Sequence, residues 1–220
     1  MLRRVLRWGK LSGTAPWSAT NPQALLFGTH FHTAVLEFDQ YQRTTQRVPW
    51  QQIEDSAAAV RRQRFCRDLL HGGQAEQTHI ATHEATRLVL KVRPNLMITS
   101  PKIGRVVIVD FKTTSAQDYA HFVATIEQYD YDRQATLYSD LLGAARFIII
   151  GVQKKNAHKA FSCPFEVWQF EATPAPGLLE QGRKKYQRPM KAFVQQQARR
   201  SLPVTLGRLE KPWASASSRM

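Results

Sequence analysis

Residues 93–114 read RPNLMITSPKIGRVVIVDFKTT. Apolar runs on either side of Ser100-Pro101-Lys102-Ile103-Gly104 predict two strands, Arg87–Met97 and Arg105–Thr113, joined by a tight turn. With the turn centred on Lys102 and Ile103, antiparallel pairing sets Asn95 opposite Asp110, their Cβ atoms about 5 Å apart. Alternation along the second strand sends Val109 and Phe111 into a core and leaves Asp110 and Lys112 on the other face. A carboxylate, a second oxygen donor and a lysine on one patch can hold a divalent cation and steer water at a phosphodiester. An edge-strand salt bridge between Asp110 and Lys112 fits the same spacing.

Outward from this pair, Asn21-Pro22 opens a helix whose Leu25, Leu26, Val35 and Leu36 carry it to about Phe38. A second helix is expected over Ile53–Leu70, stopped by Gly72-Gly73. Gln77–Thr82 reads as a strand, followed by a polar turn at His83–Ala85. His79 and His83 stand four apart, a spacing that serves a metal only on a helix, so zinc is not expected there. Helical spacing returns over Asp118–Gln128 and Asp132–Leu142, and strands over Ala145–Gln153 and Pro164–Phe170. A basic helix from about Pro176 to Arg200 closes the domain, kinked or broken at Pro189. This order predicts an α/β chain of the mixed α+β kind: one mixed sheet flanked by helices.

The chain has 220 residues, 43% apolar and 22% charged, enough for one packed domain. Its longest apolar run, Phe147–Val152, is far too short to span a membrane. Cys66 and Cys163 stand 97 positions apart with no CxxC pair, which excludes a disulfide scaffold, a Cys-rich zinc module and a four-cysteine iron–sulfur cluster. The net charge of +14 is uneven: residues 1–36 carry four bases and no acid, residues 172–220 carry +8, and the middle only +2. Basic ends around a neutral centre suit a polyanionic partner, although a soluble basic protein has the same charge. The expected organisation is a basic arm over 1–22, a domain over 23–200 and a basic, frayed tail over 201–220. MLRRVLRWGK mimics a mitochondrial presequence but has no apolar stretch of the secretory kind; a plain arm on a cytoplasmic protein is the expectation, with a mitochondrial address second.

Four motifs stand in order: Gly28-Thr29-His30-Phe31-His32 running into Leu36-Glu37, then Arg93-Pro94-Asn95, then Asp110-Phe111-Lys112, then Gln134-Ala135-Thr136-Leu137-Tyr138. Together they resemble the PD-(D/E)XK nuclease superfamily over roughly residues 24–200. The likeness is to the RecB/RecE-like branch, which includes the exodeoxyribonuclease VIII-type nuclease domains of phages and prophages. Tyr129–Gln134 leading to Tyr138-Ser139-Asp140 is similar to that type in particular. The resemblance implies a restriction-endonuclease-like fold, and Mg²⁺, with Mn²⁺ as a substitute, held by His32, Asn95, Asp110 and the Phe111 carbonyl. Lys112 would position the attacking water. Glu76 matches an acidic position of the branch and would orient Lys112, bind metal through water, or stay exposed. Gln134 and Tyr138 would line the site, contacting DNA or holding Lys112. Arg93, Lys154, Arg183, Lys184 and Lys185, with Lys155, Lys159 and Arg188, are candidates to track phosphates.

The implied activity is a Mg²⁺-dependent exodeoxyribonuclease of 5′–3′ type on duplex ends, in phage-type recombination or repair, encoded by a bacterium or phage. The implied partners are duplex ends or single strands, a single-strand annealing protein, and further copies of the chain. One departure matters. The superfamily's first acid is an aspartate, and here it is Asn95, which keeps an oxygen donor but removes a full charge. Glu76 or Glu84 could compensate, the chain could be an attenuated nuclease that binds DNA or a protein partner, or Asn95 could be an introduced substitution.

Overall fold

The computed structural model describes residues 6–7, 22–99, 104–154 and 165–201. Strands β5 (Leu96–Thr99) and β6 (Val106–Thr114) pair antiparallel with Leu96 opposite Val109 and Thr99 opposite Val106. Carried one residue further, this register sets Asn95 opposite Asp110, as the spacing predicts. β2 (Gln74–Ala75) flanks β5, β7 (Arg146–Gln153) runs parallel to β6, and β8 (Val167–Glu171) runs antiparallel to β7. The result is a five-stranded mixed sheet in the order β2-β5-β6-β7-β8.

A parallel pair needs a crossover, and α4 (Tyr119–Gln128) with α5 (Tyr131–Leu142) supplies it between β6 and β7. Helices α1 (Pro22–Leu36), α2 (Trp50–Arg62) and α3 (Arg64–Gly72) cover the other face. Because both faces are covered, β6 and β7 are apolar nearly throughout. Val107, Val109, Phe111, Ile148, Ile150 and Val152 pack with Phe27, Phe31, Ile53 and Val60, whereas Ile108, Phe147 and Ile149 pack with Phe122, Ile126 and Ala135. Each such buried side chain contributes about 1.5–3 kcal/mol.

Three expectations change. The strand read over Arg87–Met97 is two strands in two sheets. β4 (Val89–Val92) pairs with β3 (His79–Thr82) and with β1 (Leu6–Arg7) in a separate three-stranded sheet. Pro94 lacks an N–H and disfavours a regular continuation at Arg93, so the chain leaves one sheet and enters the other there. The helix read over Ile53–Leu70 breaks at Gln63, which is extended at ψ 119. Of the two outcomes expected at Pro189, a kink or a break, the break is excluded: α6 runs through the proline from Leu178 to Ser201. Tyr186 and Met190, on either side of the proline, are buried with Leu137 of α5 and Leu90 of β4, and this packing holds the helix across the missing hydrogen bond.

The turn residues 100–103, Lys155, Lys159, Cys163, and most of the arm and tail lie outside the described residues. Among the described residues no helix is long and apolar enough to cross a membrane.

Candidate active site

The site forms where β5 and β6 part. Beyond Val109, β6 has no strand beside it on the β5 edge, so the N–H and C=O of Phe111 need other partners. Two side chains provide them. Asn95 Oδ1 accepts the Phe111 N–H at 2.9 Å, and His32 Nε2–H donates to the Phe111 carbonyl at 2.8 Å. His32 reaches this point because Phe27, Phe31, Ala34 and Val35 of α1 are buried against the sheet.

Asn95 is itself fixed by Glu76, which follows β2 with a left-handed φ of 50°. The Glu76 N–H donates to the Asn95 carbonyl at 3.0 Å, and Asn95 Nδ2 donates to Glu76 Oε1 at 3.0 Å. The other Glu76 oxygen accepts Arg93 Nε at 2.8 Å. Glu84 is exposed in the turn between β3 and β4, away from this network.

On the α5 side, Asp110, Lys112 and Gln134 close a ring. Lys112 Nζ lies 2.7 Å from Asp110 Oδ2 and donates to Gln134 Oε1 at 2.9 Å, while Gln134 Nε2 donates to Asp110 Oδ1 at 3.0 Å. The expected Asp110–Lys112 salt bridge is present, but β6 lies between β5 and β7, so it is not an edge-strand pair. Asp110 is only 3% exposed, and these donors take the place of the water its oxygens have lost. The Lys112 ammonium also sits 4.6 Å from the centre of the Tyr131 ring, a cation–π contact. Tyr138, one turn beyond Gln134, is bonded to the Arg93 backbone; burial, then the Asp110 charge, pushes its phenol up to about 12. The same two causes raise the Tyr131 phenol. Burial thus favours the neutral form of both rings.

His32, Glu76, Arg93, Asn95, Asp110, Phe111, Lys112, Gln134 and Tyr138 are thus brought to one place. The expected phosphate-tracking bases are scattered in their roles. Arg183 is bidentate to Asp140 at 2.9 and 2.8 Å, and Lys185 is paired with Asp130 at 3.2 Å and Asp132 at 2.9 Å, so these two serve the α5–α6 contact. Lys184 and Arg188 instead lie on an exposed side of α6, together with Lys191, which the sequence did not single out. Lys154, at the end of β7, lies 5.6 Å from the Phe27 ring centre, and burial lowers its pKa. Tyr131 was not foreseen as a site residue; its position three before Gln134, on the same helical face, is the signal for it.

Among the described residues no three of His, Cys, Asp and Glu form a metal-binding group. The donors gathered around Phe111 are instead an imidazole and an amide, with the Asp110 carboxylate beside it in the chain held by Lys112 and Gln134.

Residues 10–210 match the model of a family described as a PDDEXK-like domain of unknown function (DUF3799). No curated protein matches the chain. Among solved structures, a candidate exonuclease from Eubacterium rectale superimposes with a TM-score of 0.60 at 16% identity, over 92% of this chain and 79% of that one. A phage-related exonuclease from Haemophilus somnus covers 91% of this chain and 98% of its own at 12% identity and TM-score 0.46. An alkaline exonuclease from Laribacter hongkongensis covers 89% and 92% at 10% identity and TM-score 0.36. The first likeness is one of fold, and it agrees with the restriction-endonuclease-like architecture expected from the motifs.

Proposed function

Because this chain belongs to the family of PDDEXK-like domains of unknown function (DUF3799), we propose that it is a metal-dependent DNA nuclease. The finer reading is an exodeoxyribonuclease acting 5′–3′ on duplex ends in phage-type recombination or repair. One observation carries it: His32 and Asn95 converge on the two backbone groups of Phe111, beside the Asp110–Lys112 pair.

The donor set fits a divalent ion. His32 Nε2 and the Phe111 oxygen are 2.8 Å apart, so with the ring proton moved to Nδ1 the Nε2 lone pair and that oxygen would stand close to the roughly 3 Å between adjacent ligands of an octahedral ion with bonds of about 2.1 Å. An oxygen-rich set with few charges suits Mg²⁺, which keeps part of its water shell, with Mn²⁺ as a substitute. His32, Asn95, Asp110 and the Phe111 carbonyl would hold it. A bound ion of this kind acidifies its water and polarises a phosphate.

The chain's own side chains do the rest. Lys112 offers a positive charge to the oxygens of the reacting phosphate, and Asp110 with Gln134 keeps that ammonium in place. Glu76 supplies, through its hydrogen bond to Asn95, the negative charge that an aspartate at 95 would carry. Arg93, whose side chain is 61% exposed, has guanidinium donors beyond the Nε held by Glu76 to grip a neighbouring phosphate. Lys154, Lys184, Arg188 and Lys191 track the backbone without reading bases.

The test is digestion of linear and circular duplex DNA with Mg²⁺ or Mn²⁺, comparing this chain with Asn95→Asp and Asp110→Ala. Metal-dependent loss of linear DNA alone, absent in Asp110→Ala, is expected. The neutral amide of Asn95 favours a second reading, a binding protein with attenuated chemistry; cutting by Asn95→Asp alone, or DNA binding with no cutting, selects it. A chain that neither cuts nor binds DNA sinks both.

A further inference from the structure

The site has an aromatic extension to the surface that the catalytic reading does not use. Tyr129, at the C-cap of α4, is 57% exposed. Its ring centre lies 5.9 Å from that of Tyr131 at 40°, and Tyr131 carries the Lys112 ammonium at 4.6 Å. The two steps place the Tyr129 ring at most about 10.5 Å from Lys112 Nζ. That distance is about the reach of one to two nucleotides of single strand.

The backbone beneath the ring is fixed. The Tyr129 N–H donates to Thr125 at 3.0 Å. Asp130 follows in the left-handed region at φ 56°, tied to Arg133 at 3.2 Å and to Lys185 at 3.2 Å. A rigid mount under a solvated ring is preorganisation, which lowers the entropy cost of binding. Of the other exposed aromatics, Phe38 lies under the Arg61 guanidinium at 4.7 Å, Tyr119 leans on Phe122, and Phe65 is on α3, on the other face of the sheet from α5.

We propose that Tyr129 is a stacking platform for a DNA base one or two nucleotides from the phosphodiester held at Lys112, a role that rests on the nuclease reading above. Every base presents a π-face, so such a contact binds single-stranded DNA without regard to sequence. It gives the site a preference for frayed or single-stranded ends over intact duplex, because only an unstacked base can reach the ring.

The test measures binding of a labelled twelve-nucleotide single strand in a chelator, with thermal midpoints recorded alongside. Tyr129→Ala is expected to bind about tenfold more weakly, Tyr129→Trp within twofold of the unmodified chain, and all three to melt alike. An abasic nucleotide scanned along the strand is expected to weaken the unmodified chain at one or two positions and to leave Tyr129→Ala unaffected there. Tyr129→Ala binding within twofold of the unmodified chain, or equal losses in the Ala and Trp variants, overturns the inference while leaving a cutting enzyme intact. An unmodified chain with no affinity for DNA overturns the nuclease reading itself.

Discussion

Asn95 and Glu76 are joined twice, once through the Glu76 N–H to the Asn95 carbonyl and once through the Asn95 amide to the Glu76 carboxylate, each at 3.0 Å. The side chain at 95 must donate to Glu76 and at the same time accept the Phe111 N–H, which an amide does and an ionised carboxylate does not. An aspartate would set two carboxylates in contact at a position only 8% exposed, where one must take a proton or lose its place. Asn95→Asp is therefore expected to lower metal-free stability by on the order of 2 kcal/mol. Mg²⁺ should return that loss, and Mn²⁺ affinity should rise at least tenfold. Urea melts with and without metal, and calorimetric titration, measure the two effects. Equal metal-free stability in both proteins would mean that Glu76 does not confront residue 95.

Gln134 touches both charges of the ring and carries none. Replacing it with Leu leaves Asp110 and Lys112 paired but removes the donor and acceptor that fix their orientation. Loss of such a supporting contact costs about 10- to 100-fold in activity. The loss should fall on kcat, with KM for DNA within a few-fold, because Gln134 is spent on Asp110 and Lys112. Steady-state kinetics on a linear duplex separates the two; a change confined to KM would assign Gln134 to the DNA instead.

The pairing of Asn95 with Asp110 was legible because an antiparallel register follows from the midpoint of a turn, and Ser100–Gly104 marks that turn. Alternation sufficed for Val109 and Phe111 against Asp110 and Lys112. The split of Arg87–Met97 was not legible from its pattern, since Val89, Leu90, Val92, Leu96 and Met97 are apolar on both sides of the break; Pro94 was the local sign. Nor does a sequence show that Arg183 and Lys185 are engaged. Asp140 and Asp132 lie 43 and 53 residues before them, and pairs at that separation exist only once α6 lies on α5. A cluster of like charges reads as a solvated, ligand-facing surface until the partners are located.

That distinction divides the basic cluster of α6 in experiment. Lys184→Ala, Arg188→Ala and Lys191→Ala should weaken DNA binding, each reducing the slope of log K against log salt by up to about 0.9, with stability unchanged. Lys185→Ala should behave oppositely. It leaves Asp132, which is 0% exposed, without its cation, at a cost of about 2 kcal/mol given that Lys185 is partly solvated. Denaturant midpoints and salt-dependent titrations on the four variants settle the division.

Cys66 on α3 is 2% exposed, and burial pushes its thiol up to about 11 from an ordinary 9.0. A raised folded-state value means the native protein holds the proton more tightly than the unfolded chain. The associated stability is complete below pH 9 and is lost as pH rises through about 11. The loss is roughly 1–3 kcal/mol. Urea midpoints between pH 8 and pH 11 should fall more steeply for the natural chain than for Cys66→Ala; parallel curves would deny the thiol its buried setting.

Gly28 and Gly182 both lie inside helices, where Gly→Ala gains about 1 kcal/mol from backbone entropy alone. Their surroundings assign them opposite signs. A Cβ on Gly28 meets nothing within 4 Å, whereas one on Gly182 meets the Asp132 carbonyl and Thr136 Oγ1 of α5 at less than contact distance. The obstacle at Gly182 is largely backbone, and Thr136 Oγ1 already bridges the Asp132 carbonyl at 2.8 Å and the Leu179 carbonyl at 3.1 Å, so neither can yield cheaply. Overpacking of this kind costs about 1–3 kcal/mol, and displacing Leu179 also strips Thr136 of a bond worth about 1 kcal/mol. Gly28→Ala should therefore raise the urea midpoint, and Gly182→Ala should lower it by the equivalent of about 1–3 kcal/mol after the helical gain is subtracted. A rise in both would mean that α6 stands further from α5 than its bonds to Thr136 and Asp132 require.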